Sequence, residues 1–545
     1  MRKLLVGIIV MSLCFSMAIA GGIVTNTNQS AQFIRTLNRN ASVSIDAAYF
    51  NPAGLIHLED GLHFSLSNQS ILQTREVISN YAGPSGNTGL NDKTFTADVQ
   101  ALLFPDVHLV YKTGPLAFFG SFMPIGGGGS ADYGKGLPSF EMPVSDLVPK
   151  LVAGGQSVTG YRLNSEFKGA SVYTSGQVGA AYEVNSMISI AVGARVVSAR
   201  NTYKGHLKDI EINMGQWVKA TDFFTGAAAL ATSGAAQADN GGDQYTAGAA
   251  QATAAATLYS DSAAYFYNLA DATTNPILKA TYTAAGDAYT LGATQATTAA
   301  AVYADSAEYY YDLADSLELV AVDMGDAAVE TADKEVDVEQ TGIGFTPIVG
   351  IHINPMDGLH IGIRYEHITK LELTNKTKVD GSGLFPDGEK TNADMPAMLG
   401  VGVSYQVMPA LRTEASFNYY LNTGVDWDGK EADLDNGLEA GLALEYALSP
   451  SLLASAGFLT SIGGAKEAYQ RDLSYSLNST SVGLGVAYTV APNLVVNIGA
   501  VNTFYSEGQR SFSYEFDEDL GITVPVVEKY NKTSIDFAIG IDYSL

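Results

Sequence analysis

The sequence SIDFAIGIDYSL, residues 534–545, alternates strictly between large apolar side chains and polar or small ones. Ile535, Phe537 and Ile539 fall on one face, and Asp536 falls on the other. A period of two is that of a β-strand with one apolar face. The same alternation recurs in LEAGLALEYAL (438–448) and SVGLGVAYTV (481–490). Such a strand fits a soluble sandwich as well as a barrel, so the strands alone do not decide the class.

Short and long connections between the strands alternate along the whole chain. The six short turns lie at 111–116, 183–188, 353–359, 407–411, 448–452 and 491–494. The seven long connections lie at about 73–93, 125–168, 205–341, 370–394, 424–437, 462–477 and 506–531. Outer-membrane barrels have short periplasmic turns and longer extracellular loops, and a closed barrel leaves no sheet edge unpaired in lipid. The sequence therefore predicts an all-β fold, a 14-stranded antiparallel transmembrane β-barrel over residues 61–545.

The first twenty residues have the pattern of a signal peptide. Arg2 and Lys3 precede an apolar run, and Ala18-Ile19-Ala20 is a typical cleavage site. We therefore expect residues 1–20 to be removed on export and the mature chain to reside in the bacterial outer membrane. Cys14 is the only cysteine, so the mature protein is expected to use neither disulfides nor thiol chemistry.

Composition excludes several classes of function. The formal net charge is −27, which disfavours nucleic acids and anionic surfaces as partners. The seven histidines have no metal-binding spacing, and the sequence has neither a nucleophile elbow nor a phosphate-binding loop. We therefore expect no enzymatic activity, no catalytic residue, no metal and no cofactor. The expected partners are outer-membrane lipids and a small ligand, and the chain is expected to be a monomer.

Residues 21–60 lie between the signal peptide and the first strand, and they end in Asn51-Pro52-Ala53-Gly54. This segment is too short for the globular plug of an energy-coupled transporter, so we interpret it as a small hatch inside the barrel. A simpler interpretation of Asn51-Pro52 is a turn that directs the chain to the wall, and the two interpretations are compatible.

A hatch directly after the signal peptide, an Asn-Pro-Ala motif at its end and fourteen following strands resemble the FadL/TodX family of outer-membrane channels. The resemblance implies passive transport of hydrophobic molecules, long-chain fatty acids or aromatic hydrocarbons. In that family the ligand leaves sideways through a gap at a kinked third strand. Here the third strand is PLAFFGSFMPIGGGGS (115–130), and Gly120, Pro124 and Gly126 are the candidates for the gap. The alternative is that the glycine run simply opens a loop.

Alternation places several charged side chains in the lumen. Among them we expect Arg195, Arg364 and Arg412 either to pair with acidic side chains and brace the wall or to meet the carboxylate of a ligand. The acidic and histidine side chains on the same face are His360, Glu366, Glu414, Glu439 and Glu445.

The third long loop, residues 205–341, contains a duplication. The 28 residues that start at Tyr245 are similar to the 28 residues that start at Tyr289, an offset of 44 residues. Their high alanine content predicts two helices of about 27 residues each, forming a hairpin outside the membrane. The section 221–335 is either a low-complexity spacer, in part disordered, or a region for surface contacts.

Three other functions compete with that of a hydrophobic-ligand channel. A general porin would need an open, charged pore, whereas a surface-display barrel would depend on the helical loop for adhesin-like contacts. A lipid hydrolase is the weakest alternative because no nucleophile constellation is found. The hatch favours the channel, since an open pore has no use for one.

Overall fold

The computed structural model describes residues 30–84, 86, 88–518 and 520–545. The expected signal peptide and the first part of the expected hatch, residues 21–29, lie outside the described residues. Eighteen strands form one antiparallel sheet. They are β1 (Gly61–Tyr81), β2 (Leu90–Thr113), β3 (Leu116–Tyr133), β4 (Tyr161–Asn185), β5 (Ile188–Asn213), β6 (Trp217–Lys219), β7 (Lys334–Met356), β8 (Leu359–Glu366), β9 (Glu372–Asp380), β10 (Lys390–Asn392), β11 (Ala397–Met408), β12 (Leu411–Leu421), β13 (Gly437–Ser449), β14 (Leu452–Ile462), β15 (Ser479–Ala491), β16 (Leu494–Tyr505), β17 (Gly508–Asp517) and β18 (Ile522–Ser544).

Fourteen of these strands close into a ring. β1 pairs with β2 on one side and with β18 on the other, from His63 opposite Ser544 to Asn80 opposite Val527. The predicted 14-stranded antiparallel barrel is therefore confirmed. The short strands β6, β9 and β17 pair with wall strands, and β10 pairs with β9, without belonging to the ring.

The two faces of the wall differ as the alternation predicts. Ile535, Phe537 and Ile539 are exposed, whereas Asp536 and Ala538 between them are buried. The apolar face of each strand therefore points outward and the polar or small face points into the barrel.

Six α-helices lie among the described residues: α1 (Ala31–Thr36), α2 (Ala47–Phe50), α3 (Pro138–Ser145), α4 (Leu147–Ala153), α5 (Ala220–Ala272) and α6 (Pro276–Glu330). The helical insertion is confirmed, but its predicted helix length was wrong, because α5 has 53 residues and α6 has 55. Each helix continues through the alanine-rich sequence outside the duplicated part and is about 80 Å long by its rise. No helix among the described residues combines the length and apolar character that crossing a membrane needs.

The duplication gives the hairpin of α5 and α6 a local two-fold symmetry. Tyr303 of the second copy packs on Gly248 of the first, and the equivalent Tyr259 packs on Gly292. The same exchange occurs further along, where the hydroxyl of Tyr311 donates to Asp243 and that of Tyr267 donates to Asp287. Two copies of one sequence are therefore complementary when they run antiparallel.

The helices α3 and α4 form a cap, residues 138–153, on the long-loop side of the barrel. The backbone N–H of Ser139 donates to Asp472 (2.9 Å), and Lys93 pairs with Glu141 (2.5 Å). At the junction of the two helices, Asp146 accepts hydrogen bonds from the hydroxyl groups of Tyr81 (2.5 Å) and Tyr514 (2.9 Å). The cap is therefore tied to β17, β1 and β2 and to the connection between β14 and β15.

The cap should loosen as the pH rises from 4 to 7. Burial raises the pKa of Asp146 to about 6, against the hydrogen bonds from the two tyrosines and the charge of Lys150, which lower it. Because the pKa of Asp146 is higher in the folded cap than in the unfolded chain, its protonated form stabilises the cap at low pH. This stabilisation is lost as the pH rises through the pKa of the folded state. We expect hydrogen-exchange protection factors of residues 138–153 to fall about tenfold over this range. Asp146→Asn should abolish the dependence, and an equal fall in that variant would contradict the assignment.

Candidate functional site

Residues 30–57 lie against the inner face of the wall, and the wall strands carry glycines where the segment passes. A Cβ at Gly499 would lie 2.9 Å from Cγ2 of Ile34, and one at Gly402 would lie 2.6 Å from the backbone nitrogen of Ala41. Along the same path, inward glycines of other strands face the backbone or side chains of this segment; they are Gly362, Gly441, Gly457 and Gly483. The small inner face seen in the sequence therefore makes room for the N-terminal segment.

The Asn-Pro-Ala motif is where this segment meets β7. The side-chain amide of Asn51 donates to the carbonyl oxygen of Ile351 (3.0 Å). The hydroxyl of Ser189 in β5 donates to the carbonyl oxygen of Ala53 (2.7 Å). The side chain of Asn51 needs the space above two glycines of the wall. A Cβ at Gly350 would lie 2.5 Å from its Oδ1, and a Cβ at Gly362 would lie 2.7 Å from its Nδ2.

The remaining motif residues continue this packing. Pro52 is the first residue of a 3₁₀ helix, Pro52–His57. Gly54 packs so tightly on the carbonyl of Ser42 that no Cβ fits there. The motif thus starts a turn and also forms specific contacts with the wall.

Polar side chains link the segment to the opposite side of the ring. Arg35 pairs with Glu445 of β13, and the side-chain amide of Gln32 donates to both carboxylate oxygens of Asp542 in β18 (2.6 and 2.8 Å). The backbone N–H of Ala41 donates to Glu414 (3.0 Å).

Of the three lumen arginines selected from the sequence, Arg195 and Arg364 are buried and Arg412 is half-buried, and each already has partners. The guanidinium of Arg195 donates to both carboxylate oxygens of Glu366 (2.7 and 2.8 Å). Arg364 lies 3.3 Å from the same carboxylate and donates to the carbonyl of Tyr49 (2.5 Å). Arg412 pairs with Glu414 (3.3 Å) and with Glu445. A ligand carboxylate would have to compete with these partners, so a head-group role for these arginines stays a prediction.

Glu366→Gln should destabilise the barrel by about 3–5 kcal/mol, because it leaves the buried charges of Arg195 and Arg364 without a carboxylate. The matched control is Glu339→Gln in the exposed pair with Arg200 (2.6 Å), for which we expect about 0–1 kcal/mol. The free energy of unfolding in urea, followed by the heat-modifiable electrophoretic band, measures both. Equal small losses would mean that the buried network does not stabilise the fold.

The hydrogen-bond ladder between β2 and β3 is interrupted in the middle of both strands. Val99 pairs with Ala131 and Val107 pairs with Phe122, but among the described residues no pair joins 100–106 to 123–130. Seven residues of strand correspond to about 23 Å of wall. The strands remain close at the upper end of this stretch, where a Cβ at Gly129 would lie 3.3 Å from that of Ala101.

The three residues expected at a gap do not all lie at this interruption. Pro124 and Gly126 lie within it and pair only with β4, opposite Thr174 and Tyr173, with two register shifts nearby. Gly120 pairs with Leu109 on one side and Val178 on the other, so it lies in a continuous part of the wall.

An apolar cluster lies behind the interrupted ladder, inside the barrel. Met123 and Ile125 of β3 are buried there against Tyr49 and Phe50 of the N-terminal segment. The other buried members come from β4, β5 and the segments around β9 and β10; they are Tyr173, Val197, Ala199, Leu371, Leu373, Ala393 and Met395. On the outside, Leu102 and Leu103 of β2 are exposed at the same level.

Two cations lie directly opposite each other on the inner face, above the interruption. Arg75 of β1 is the register partner of Lys532 of β18 and, on its other side, of Ala97. The guanidinium of Arg75 lies 4.4 Å from the ring centre of Tyr475, and the Lys532 ammonium lies 4.6 Å from that of Tyr505.

Neither cation forms an ion pair within the part of the chain that the structure describes, and the buried Nε of Arg75 has no hydrogen-bond partner. Like charges directly opposite each other across a ladder are destabilising. The arrangement therefore leaves two basic side chains available to an anion.

Sequence reasoning missed this pair. Both side chains lie on the inner face by alternation, but only the register of β1 against β18 brings residues 75 and 532 together. The sequence indicated this pair only indirectly, because neither strand places an acidic side chain directly opposite Arg75 or Lys532.

No protein-family model and no curated protein matches the sequence. Among solved structures, the crystal structure of a Pseudomonas aeruginosa FadL homologue aligns with a TM-score of 0.54 at 13% identity, covering 96% of this chain and 99% of that chain. The P. putida toluene transporter TodX aligns with a TM-score of 0.47 at 12% identity, covering 92% and 94%. The Ralstonia pickettii toluene transporter TbuX aligns with a TM-score of 0.44 at 14% identity, also covering 92% and 94%.

The alignment with the FadL homologue extends over nearly the whole length of both chains. At this identity the likeness concerns the path of the backbone and not individual site residues. The resemblance of the sequence to the FadL/TodX family is thus supported in its fold, a closed barrel of fourteen antiparallel strands.

Proposed function

We propose that this chain is a passive outer-membrane channel for hydrophobic molecules with an acidic head group, such as long-chain fatty acids, and that the ligand leaves sideways between β2 and β3. The observation that carries the proposal is the interrupted ladder from 100–106 to 123–130, because it places an unpaired stretch of wall beside a buried apolar cluster. The fold shared with a FadL homologue supports the same class of function.

The proposed route begins below the cap. A carboxylate head group would bind between Arg75 and Lys532, where charge-assisted hydrogen bonds replace its hydration. The alkyl chain would then run along the buried side chain of Val99, which lies between the two cations and the interruption, and along those of Ile71 and Phe104 at the level of the interruption.

Residues 30–57 act as the plug in this proposal. They contact inward-facing groups on β5, β7, β12, β13 and β18, so they close the direct path to the short-turn end. A sideways exit also keeps the alkyl chain out of water, which would cost about 0.8 kcal/mol per CH₂ group. A barrel whose lower end is closed by a plug therefore needs a lateral opening for the ligand.

Deletion of residues 22–46 tests the plug. The wall strands form their own ladders, so the variant should still give a heat-modifiable barrel. Its single-channel ion conductance in planar bilayers should rise well above that of the full mature chain. Unchanged conductance in the folded variant would show that the segment does not close the lumen, and loss of folding would show that it is part of the core.

A further inference from the structure

Three histidines from distant parts of the sequence meet at the short-turn end of the barrel. His57 ends the 3₁₀ helix that follows the Asn-Pro-Ala motif, His352 lies near the end of β7, and His360 lies at the start of β8. One ring nitrogen from each lies within 4.8 Å of those of the other two. The ring centres are 4.8, 5.0 and 5.3 Å apart.

Two of these rings lie on neighbouring wall strands, and the third lies at the end of the N-terminal segment. In the hairpin of β7 and β8, His352 is opposite Gly362, so His352 and His360 share the inner face of neighbouring strands. The hydrogen bond from Asn51 to Ile351 holds the end of the plug beside them (3.0 Å).

His352 also packs directly on the plug. A Cβ at Gly54 would lie 3.4 Å from its Nδ1. The side chain is therefore held from two sides, by the wall and by the motif.

The hydrogen bonds of the protein do not account for this cluster. Nε2 of His352 and Nδ1 of His360 are 3.1 Å apart, but the buried Nδ1 of His352 has no partner. The ring of His57 makes no hydrogen bond that is resolved among the described residues, and its side chain is exposed. Three converging imidazoles, one of them accessible from outside, are the ligand set of an open transition-metal site.

We propose that His57, His352 and His360 bind a divalent transition-metal ion of the zinc, nickel or copper type, with water in the remaining position. Tetrahedral coordination at zinc–nitrogen distances of 2.0–2.1 Å requires ligand nitrogens about 3.3 Å apart. The pair of His352 and His360 already meets this spacing at 3.1 Å, and the exposed His57 closes the rest by turning its ring. The ion clasps the end of the plug to the barrel wall.

The test uses the full mature chain without a histidine tag, stripped of metal by EDTA. Calorimetric titration with Zn²⁺ should show one site per chain with a dissociation constant in the micromolar range or below. His57→Gln and His360→Gln should each weaken binding at least tenfold. The matched control is His206→Gln, which removes a half-buried histidine bonded to Asn164 (3.2 Å) and should bind Zn²⁺ as the wild type does.

Two further measurements separate a clasp from adventitious binding. Electron paramagnetic resonance of bound Cu²⁺ should show three nitrogen ligands in the wild type and two in His57→Gln. Zn²⁺ should slow hydrogen exchange of residues 47–57 at least tenfold in the wild type and not in His57→Gln. No binding at micromolar Zn²⁺, or equal affinity in wild type and both variants, would overturn the proposal.

Discussion

Replacing Gly126 with tryptophan should reduce uptake of a labelled long-chain fatty acid by cells to the level of a strain that lacks the protein. Gly126 has a partner on β4 but none on β2, so a large side chain at this position fills the interrupted stretch of wall. Its φ angle is not positive, in contrast to Gly127 at 91°, and it accepts an L side chain without backbone strain. Binding of the fatty acid to the purified protein should remain, because the proposed head-group site is higher in the barrel.

Gly120→Trp is the matched control for this variant. Gly120 lies in the same strand but is paired on both sides, and the space within 4 Å of a Cβ there is empty. We therefore expect wild-type uptake and wild-type binding. Wild-type uptake by Gly126→Trp, in protein shown to be folded and surface-exposed, would exclude an exit between β2 and β3.

The barrel was predictable because alternation and connection lengths are local properties of the chain. Each outward side chain of residues 535–541 follows from a period of two, and the register of neighbouring strands follows from short turns. The length of α5 and α6 was not predictable from the duplicated copies, because helix propagation through alanine-rich sequence does not stop at the ends of a repeat.

The interrupted ladder was predictable on one strand only. Pro124 and the glycines of β3 indicated a weak strand, but the partner stretch on β2 carried a signal that was overlooked. Pro105, inside 100–106, also lacks a backbone N–H for the ladder. Gly120 was included because a lone glycine in a strand does not reveal whether its neighbours pair with it.

The candidate site depends on contacts across hundreds of residues, which no sequence period encodes. Arg75 meets Lys532 only because β18 closes the ring against β1. His57 meets His352 only because Asn51 docks on β7. In contrast, alternation predicted that Arg195, Arg364 and Arg412 face inward, but their partners on neighbouring strands and on residues 30–57 were not apparent.

Replacing both Arg75 and Lys532 with methionine should weaken binding of a long-chain fatty acid at least a hundredfold. Each charge-assisted hydrogen bond to a carboxylate is worth about 1.5–3 kcal/mol, so the loss of two corresponds to two orders of magnitude or more. The change should not destabilise the barrel, because the two cations oppose each other in the ladder without an ion-pair partner among the described residues. Methionine keeps an unbranched apolar stem in each position.

A fatty alcohol of the same chain length serves as the matched ligand, and its affinity should be nearly the same in wild type and double variant because it carries no negative charge. Arg412→Met serves as the matched variant. It removes a lumen cation that already pairs with Glu414 and Glu445, so it should lower the free energy of unfolding and leave fatty-acid affinity within a few-fold of wild type. Calorimetric titration of both ligands into all three proteins distinguishes the outcomes. An equal loss for acid and alcohol would mean that Arg75 and Lys532 only shape the lumen, whereas a hundredfold loss in Arg412→Met would move the head-group site to the arginines near residues 30–57.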